Sequence, residues 1–348
     1  MKISYCNPVW NGYLADPFCL RVEDADGLWF YAYGTGSSLG DAPSNDADEP
    51  NERAFPVLRS RDLVNWEFLG GALEILPQFR GSAHWAPEVA QRDGKFWMYY
   101  SAQVPPVSGA APVENVNGSG DETHRLRVAV SDAPQGPFRD CGVFLLPGEG
   151  FSIDAHPFCD PQSGEWFLFF AKDFLDGRVG TGTAVVRLGD DMQSVEGEIQ
   201  TVIRASSDWH IYERNRPLYG QHFDAWHTVE GAFVLFHEGL YYCLYSGGAW
   251  QTPGYGVSYG VASHPLGPWR DEWSAQGPSV LRGVPNHVIG PGHCSAVLGP
   301  DNATLWCVYH AWDLEQTARR MCIDPITWED GPHGMRPRVV GPTWETQS

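Results

Sequence analysis

A short unit of sequence returns five times along this chain: a polar residue, a strand of small and apolar residues, then a second strand rich in aromatics. The copies open at Ala15-Asp16-Pro17-Phe18, Trp85-Ala86-Pro87-Glu88-Val89, Asp154-Ala155-His156-Pro157-Phe158, Glu230-Gly231-Ala232-Phe233-Val234 and His293-Cys294-Ser295-Ala296-Val297. Their aromatic partners occupy residues 29–33, 96–100, 166–170, 240–245 and 305–309. A period of roughly 65–75 residues accommodates four strands and a loop, the content of one propeller blade. The expected fold is therefore all-β: a five-bladed β-propeller with four-stranded antiparallel blades around a central channel, in a single domain over residues 1–348. In such a ring the innermost strands all start at one end of the channel. Polar residues at those starts converge in space although they are far apart in sequence.

The segments between the repeats fit this reading. Asp26-Gly27, Asp93-Gly94 and Glu238-Gly239 each precede an aromatic strand, as expected of hairpins whose turn needs positive φ. Outer segments ending in Trp66, Phe138 and Trp269 share a strand, a polar turn and an aromatic able to pack between blades. No stretch keeps a helical period with caps. The best helical candidate, residues 208–219, is aromatic-rich and contains Pro217, so it reads as a loop or a single turn. Residues 37–53 and 104–124 read as long loops expected to rim the pocket mouth.

A formal charge of -20 is opposite to what a phosphate backbone attracts, so no nucleic-acid partner is expected. It also favours a neutral substrate over a polyanionic one. The 15 Trp suit half-buried strands and also sites that stack sugar rings. Eight cysteines are scattered without a CxxC pair, and Cys19, Cys243, Cys294 and Cys307 lie within apolar strands, which implies small buried hydrophobes and no disulfide framework. The opening Met1-Lys2-Ile3-Ser4-Tyr5-Cys6-Asn7-Pro8 has no apolar leader core, and no run of about 18 apolar residues follows. The expectation is a cytoplasmic protein with no membrane partner, or a secreted one if a leader preceded this sequence.

Asp16, Asp154 and Glu230 are the informative acids, because each opens an inner strand in a different repeat. A lone strand-start acid merely solvates a channel or caps a turn; three across the repeats point to chemistry. Cleaving a glycosidic bond requires one carboxylic acid to protonate the leaving oxygen and one carboxylate to activate water or attack. A third acid nearby raises the pKa of the donor by like-charge repulsion. The longer reach of Glu230 suits the donor, and Asp16 suits the base.

These residues carry a family resemblance. Asn7-Pro8 with Ala15-Asp16-Pro17-Phe18, Ser152-Ile153-Asp154-Ala155-His156-Pro157-Phe158, and Val229-Glu230-Gly231-Ala232-Phe233 with Tyr241 to Gly248 resemble the motifs of glycoside hydrolase family 43. Ser60 to Trp66, His84 to Glu88 and Gly290 to His293 support the match, which covers roughly residues 5–340. Ala232 departs from the proline that the family writes there. The resemblance implies a five-bladed inverting glycosidase with Asp16 as general base, Asp154 as the acid that tunes and orients the donor, and Glu230 as general acid. It further implies substrate contacts from Trp85, Arg319 and His293, and a structural calcium in the central channel that His293 helps hold, mostly through waters. Calcium prefers oxygen ligands, and a hydrogen-bonded channel histidine is an equal reading of His293. No cofactor is needed for the chemistry. Strand alternation decides whether Arg319 or Arg320 faces inward. Glu88 reads as structural.

The expected substrate is a neutral, plant-polysaccharide-derived oligosaccharide from which a pentose is released, α-L-arabinofuranosyl ahead of β-D-xylosyl. The long insertions and the missing leader favour exo action on short chains. The alternatives are an endo-arabinanase or galactan-active hydrolase of the same fold, a phosphorylase on the same scaffold, or a carbohydrate-binding propeller without turnover. A fructoside-acting sibling is excluded by the lack of its Trp-Met-Asn-Asp-Pro-Asn opening and Arg-Asp-Pro segment.

Overall fold

A computed structural model describes residues 3–36, 53–104, 124–271, 277–331 and 334–347. Five antiparallel sheets form a ring. Blade 1 contains β1 (Ala15–Asp24), β2 (Gly27–Thr35), β3 (Arg53–Ser60) and β4 (Trp66–Glu74). Blade 2 contains β5 (His84–Arg92), β6 (Lys95–Gln103), β7 (His124–Ser131) and β8 (Arg139–Phe144). Blade 3 contains β9 (Ser152–Cys159), β10 (Trp166–Phe174), β11 (Gly180–Leu188) and β12 (Val195–Ile203), and carries an extra hairpin, β13 (Ile211–Leu218) and β14 (Gln221–His227). Blade 4 contains β15 (Val229–His237), β16 (Leu240–Gly247), β17 (Gly256–Ala262) and the short β18 (Arg270–Asp271) and β19 (Leu281–Arg282). Blade 5 contains β20 (Ile289–Leu298), β21 (Leu305–Trp312), β22 (Arg319–Gly331) and β23 (Gly334–Val339). Each inner strand packs on the next, β1 on β5, β5 on β9, β9 on β15, β15 on β20, and β20 returns to β1. This is the five-bladed propeller that the repeats imply.

The hairpins between inner strands turn where expected, with positive φ at Gly27, at Asp93 and Gly94, and at Glu238 and Gly239. The aromatic second strands fill the spaces between blades: Tyr33, Tyr99, Tyr100, Tyr242 and Tyr309 are buried almost completely. All eight cysteines are free, and Cys19, Cys243, Cys294 and Cys307 are buried as small hydrophobes. No helix among the described residues is long and apolar enough to cross a membrane.

At one equivalent point near the start of each inner strand the chain adopts the left-handed region: Asp16 (φ 50), Ala86 (φ 47), Asp154 (φ 57), Gly231 (φ 59) and His293 (φ 45). The pairing register slips at each of these points. Such a bulge turns one peptide out of the ladder and re-aims its side chain. The equivalence corrects the sequence reading of blade 4, where Gly231 and not Glu230 occupies the position of Asp16 and Asp154. Glu230 sits one residue earlier, at the place held by Ala15, Trp85, Ile153 and Gly292 in the other blades.

Residues 208–219 also differ from expectation. After a single turn at Asp208–His210 the chain forms β13 and pairs with β14 through a turn at Tyr219 and Gly220, both with positive φ. Pro217 is tolerated because β13 is an edge strand, paired on one side only. The loop expectations for residues 37–52 and 105–123 lie outside the described residues, although their flanks Gly36, Gln103 and His124 line the main cavity.

The ring closes through backbone and side-chain bonds of the first residues. Backbone N–H groups of Val9 and Leu14 donate to the carbonyls of Met321 and Arg319 on β22. Asn7 accepts from the Ile323 N–H and donates to the Ile323 carbonyl, both at 2.8 Å. Beside it, the fully buried Asp324 carboxylate accepts from the hydroxyls of Tyr5, Tyr309 and Thr343, each at 2.7 Å. Removing an acceptor that serves several buried donors leaves each donor unsatisfied, at about 1–3 kcal/mol apiece. Asp324→Ala should therefore lower the unfolding free energy by about 3 kcal/mol or more, read from guanidinium unfolding curves. A loss below about 1 kcal/mol would show that the ring is closed by other contacts.

Candidate active site

The left-handed bulges and the closing strand β22 bring the singled-out residues to one cavity of about 640 Å³. Asp16, Asp154, Glu230, His293, Arg319 and Trp85 all line it. Arg320 points away and pairs with Asp313 at 3.1 Å, so strand alternation turns Arg319 inward.

Asp16 is held on both oxygens. Its Oδ1 accepts from Arg319 at 3.1 Å and its Oδ2 from the Thr35 hydroxyl at 2.7 Å. Its N–H donates to Nδ1 of His310 at 3.0 Å, so that imidazole presents its lone pair at Nδ1 and carries its proton on Nε2. Burial by itself raises a carboxyl. Here the adjacent Arg319 charge outweighs burial and holds Asp16 well below the ordinary carboxylate range. Arg319 is in turn fixed by the Tyr13 hydroxyl at 3.1 and 3.2 Å and by the Trp250 ring, 4.4 Å from its guanidinium carbon. Burial pushes His310 down to about 4 and lowers His293, so both rings are neutral near pH 7.

Asp154 is treated in the opposite way. Burial, then the negative charges of Glu230 and Asp16, raise its carboxyl well above the ordinary range. Its Oδ2 accepts the Gly231 N–H at 3.1 Å, which ties it to the peptide following Glu230. Glu230 Oε1 accepts from the Tyr255 hydroxyl at 2.8 Å. A Cβ on Gly292 would come within 2.3 Å of the Tyr255 ring, so glycine there is what admits the phenol. The Tyr255 ring also lies parallel to His310, 6.0 Å away, and thus connects the Asp16 and Glu230 sides of the cup.

Trp85 stacks on His124 with ring centroids 3.5 Å apart. Glu88 does not face the cavity. It accepts from Nδ1 of buried His156 at 2.6 Å, and Nε2 of that ring accepts the Val234 N–H at 3.1 Å, forming a bridge across blades 2, 3 and 4. The structural reading of Glu88 is thus accounted for. His293 Nδ1 lies 3.5 Å from Asp16 Oδ1 and 3.9 Å from Asp154 Oδ2. Those oxygens already serve Arg319 and Gly231, and among the described residues no group of three or more His, Cys, Asp or Glu is arranged to hold a metal.

Sequence reasoning missed Thr35, Tyr13, Tyr255, Trp250 and His310, which position the acids. It also missed the wall built by β13 and β14, where Tyr212, Arg216, Leu218, Tyr219 and Trp226 line the cavity. Arg216 is buried between the rings of Tyr212 and Trp226, 5.0 and 5.5 Å from its guanidinium carbon.

Known proteins share this arrangement of the chain. The family model described as glycosyl hydrolases family 43 matches residues 5–332. A β-D-galactofuranosidase of Aspergillus niger is 28% identical over 342 residues, spanning 93% of this chain and 82% of that protein. A probable arabinan endo-1,5-α-L-arabinosidase B of Aspergillus fumigatus is 24% identical over 277 residues, spanning 74% of this chain and 66% of that protein. The crystal structure of a thermostable family-43 glycoside hydrolase superposes with a TM-score of 0.77 at 30% identity, covering 99% of this chain and 98% of that one.

The electrostatics of the cup make a direct prediction. Arg319→Gln removes the cation that keeps Asp16 ionised and leaves burial less opposed, so Asp16 should titrate at higher pH. NMR titration of the aspartate carboxyl carbons in both proteins measures this, and an unmoved Asp16 resonance would reject Arg319 as the cause.

Proposed function

This chain belongs to glycosyl hydrolases family 43, and we propose that it is an inverting exo-glycosidase that removes a terminal α-L-arabinofuranosyl residue from a neutral oligosaccharide. The observation that carries this reading is the opposite treatment of two carboxyls in one cup. Arg319 lowers Asp16, and burial beside Glu230 and Asp16 raises Asp154. Inversion needs an ionised carboxylate that takes a proton from water on one face of the sugar, the part of Asp16, and a separate acid that gives a proton to the leaving oxygen, the part of Glu230. Asp154 is the third carboxyl beside that acid, and it keeps its own proton.

In this mechanism Asp16 accepts a proton from the attacking water as its oxygen bonds to the anomeric carbon. The glycosidic C–O bond breaks, and Glu230 delivers its proton to the departing oxygen. Oε1 of Glu230 already accepts from Tyr255, so the transferable proton sits on Oε2. Asp154 steadies the peptide that follows Glu230 by accepting the Gly231 N–H. Trp85 and Arg319 border the sugar. The wall of β13 and β14 supports exo action, because it bounds one side of the cavity with bulky rings.

A β-D-galactofuranosyl unit is the second reading, favoured by the 28% identical galactofuranosidase. That sugar shares the ring stereochemistry of α-L-arabinofuranose and differs by a longer exocyclic arm.

A panel of 4-nitrophenyl α-L-arabinofuranoside, β-D-xylopyranoside and β-D-galactofuranoside, together with linear arabinan, separates these substrates and endo from exo action. Asp16→Asn and Glu230→Gln should each lower kcat by about 10²–10⁴-fold on a natural glycoside. Glu230→Gln should lose less on the nitrophenyl substrate, whose leaving group needs little protonation. NMR of the first-formed sugar should show the inverted anomer. Near-full activity of Glu230→Gln on the natural substrate, or a retained anomer, would overturn the mechanism.

A further inference from the structure

The left-handed residue of each blade must place its buried N–H, and the preceding blade supplies the acceptor. The Ala86 N–H donates to the Thr35 hydroxyl at 2.9 Å and the Asp154 N–H to the Ser101 hydroxyl at 3.1 Å. The His293 N–H donates to the Ser246 hydroxyl at 2.7 Å and the Asp16 N–H to His310 Nδ1 at 3.0 Å. These acceptors occupy one structural position, paired across the ladder with Trp85 for Ser101, Glu230 for Ser246, Ala15 for Thr35 and Gly292 for His310. In blade 3 the same position, paired with Ile153, is Ala171, which is fully buried and has no acceptor. There the fifth N–H, that of Gly231, donates to the carboxylate of Asp154.

We infer that Ala171 is a positioning residue: by offering no acceptor, it leaves the Gly231 N–H to Asp154 and so holds that carboxyl against the peptide that carries Glu230. The inference rests on the functional reading of Asp154 and Glu230. Its physical content is a competition. A hydroxyl at position 171 stands where four other blades keep a polar acceptor, and there it captures the Gly231 N–H. Asp154 is then released from the peptide, and Glu230 loses the brace on its C-terminal side. A misplacement of an acid by a fraction of an ångström is enough to slow proton transfer without weakening substrate binding.

The test is a double-mutant cycle of Ala171→Ser and Asp154→Ala, reading kcat, KM and melting temperature, with Glu230→Gln alongside. In the otherwise unchanged protein, Ala171→Ser should lower kcat about tenfold while KM stays within about twofold. In the Asp154→Ala background, where the Gly231 N–H has lost its acceptor, the new hydroxyl should raise the melting temperature by about 2–4 °C. A merely structural alanine would give the same sign in both backgrounds. Equal effects in the two backgrounds, or failure of Ala171→Ser to fold in either, overturn the inference. An unchanged kcat in Ala171→Ser while Glu230→Gln is inactive overturns it too and leaves the functional reading standing. If Glu230→Gln itself stays active the functional reading fails, and the melting-temperature arm still decides who holds the Gly231 N–H.

Discussion

A buried N–H at the start of every inner strand has to find an acceptor across a blade boundary. Forcing a non-glycine residue into the left-handed region costs about 1–2 kcal/mol, and leaving the N–H unpaired would cost about as much again. The five blades meet this demand with a hydroxyl or imidazole of the preceding blade in four places and with the Asp154 carboxylate in the fifth. The same bulge that creates the demand aims the side chains of Asp16, Asp154 and His293 into the channel. Fold and site are therefore joined by one ring of hydrogen bonds, and the acids occupy their places because the ring closes.

The chemistry then depends on neighbours that differ from blade to blade. Asp16 and Asp154 occupy equivalent positions and are both well shielded, with side chains 11% and 6% exposed. Their carboxyls nevertheless shift in opposite directions, because β22 places Arg319 beside the first while the second faces Glu230. β22 is also the strand that the first residues clamp, through Asn7 at Ile323 and the hydroxyl network at Asp324. Closing the propeller and charging the base are thus consequences of the same docking.

The hairpin β13–β14 adds the part of the cavity that the fivefold repeat does not supply. It hangs from blade 3 through a single parallel pairing of Gly180 with His227 and lays aromatic rings around Arg216. Such a wall bounds the cavity that also holds the acids.

Much of this was readable in the chain. Aromatic second strands, Asp-Gly turns and the returning polar residues specify a blade, because strand period and turn chemistry are local properties. The family motifs singled out the three acids and Arg319, but only the register of β22 showed that Arg319 and not Arg320 turns inward. The one-residue offset of Glu230 was hidden, since a bulge inserts a residue without a mark in the sequence. The β13–β14 hairpin was hidden as well, because Pro217 signals a break until an edge strand makes its missing N–H harmless. Local sequence determined which segments become strands and which residues can titrate. Only the closed ring decided which carboxyl meets the arginine, which is buried beside another acid, and that Ala171 would leave an N–H for Asp154 to hold. Those outcomes depend on distances between residues separated by tens to hundreds of positions, and no local pattern encodes them.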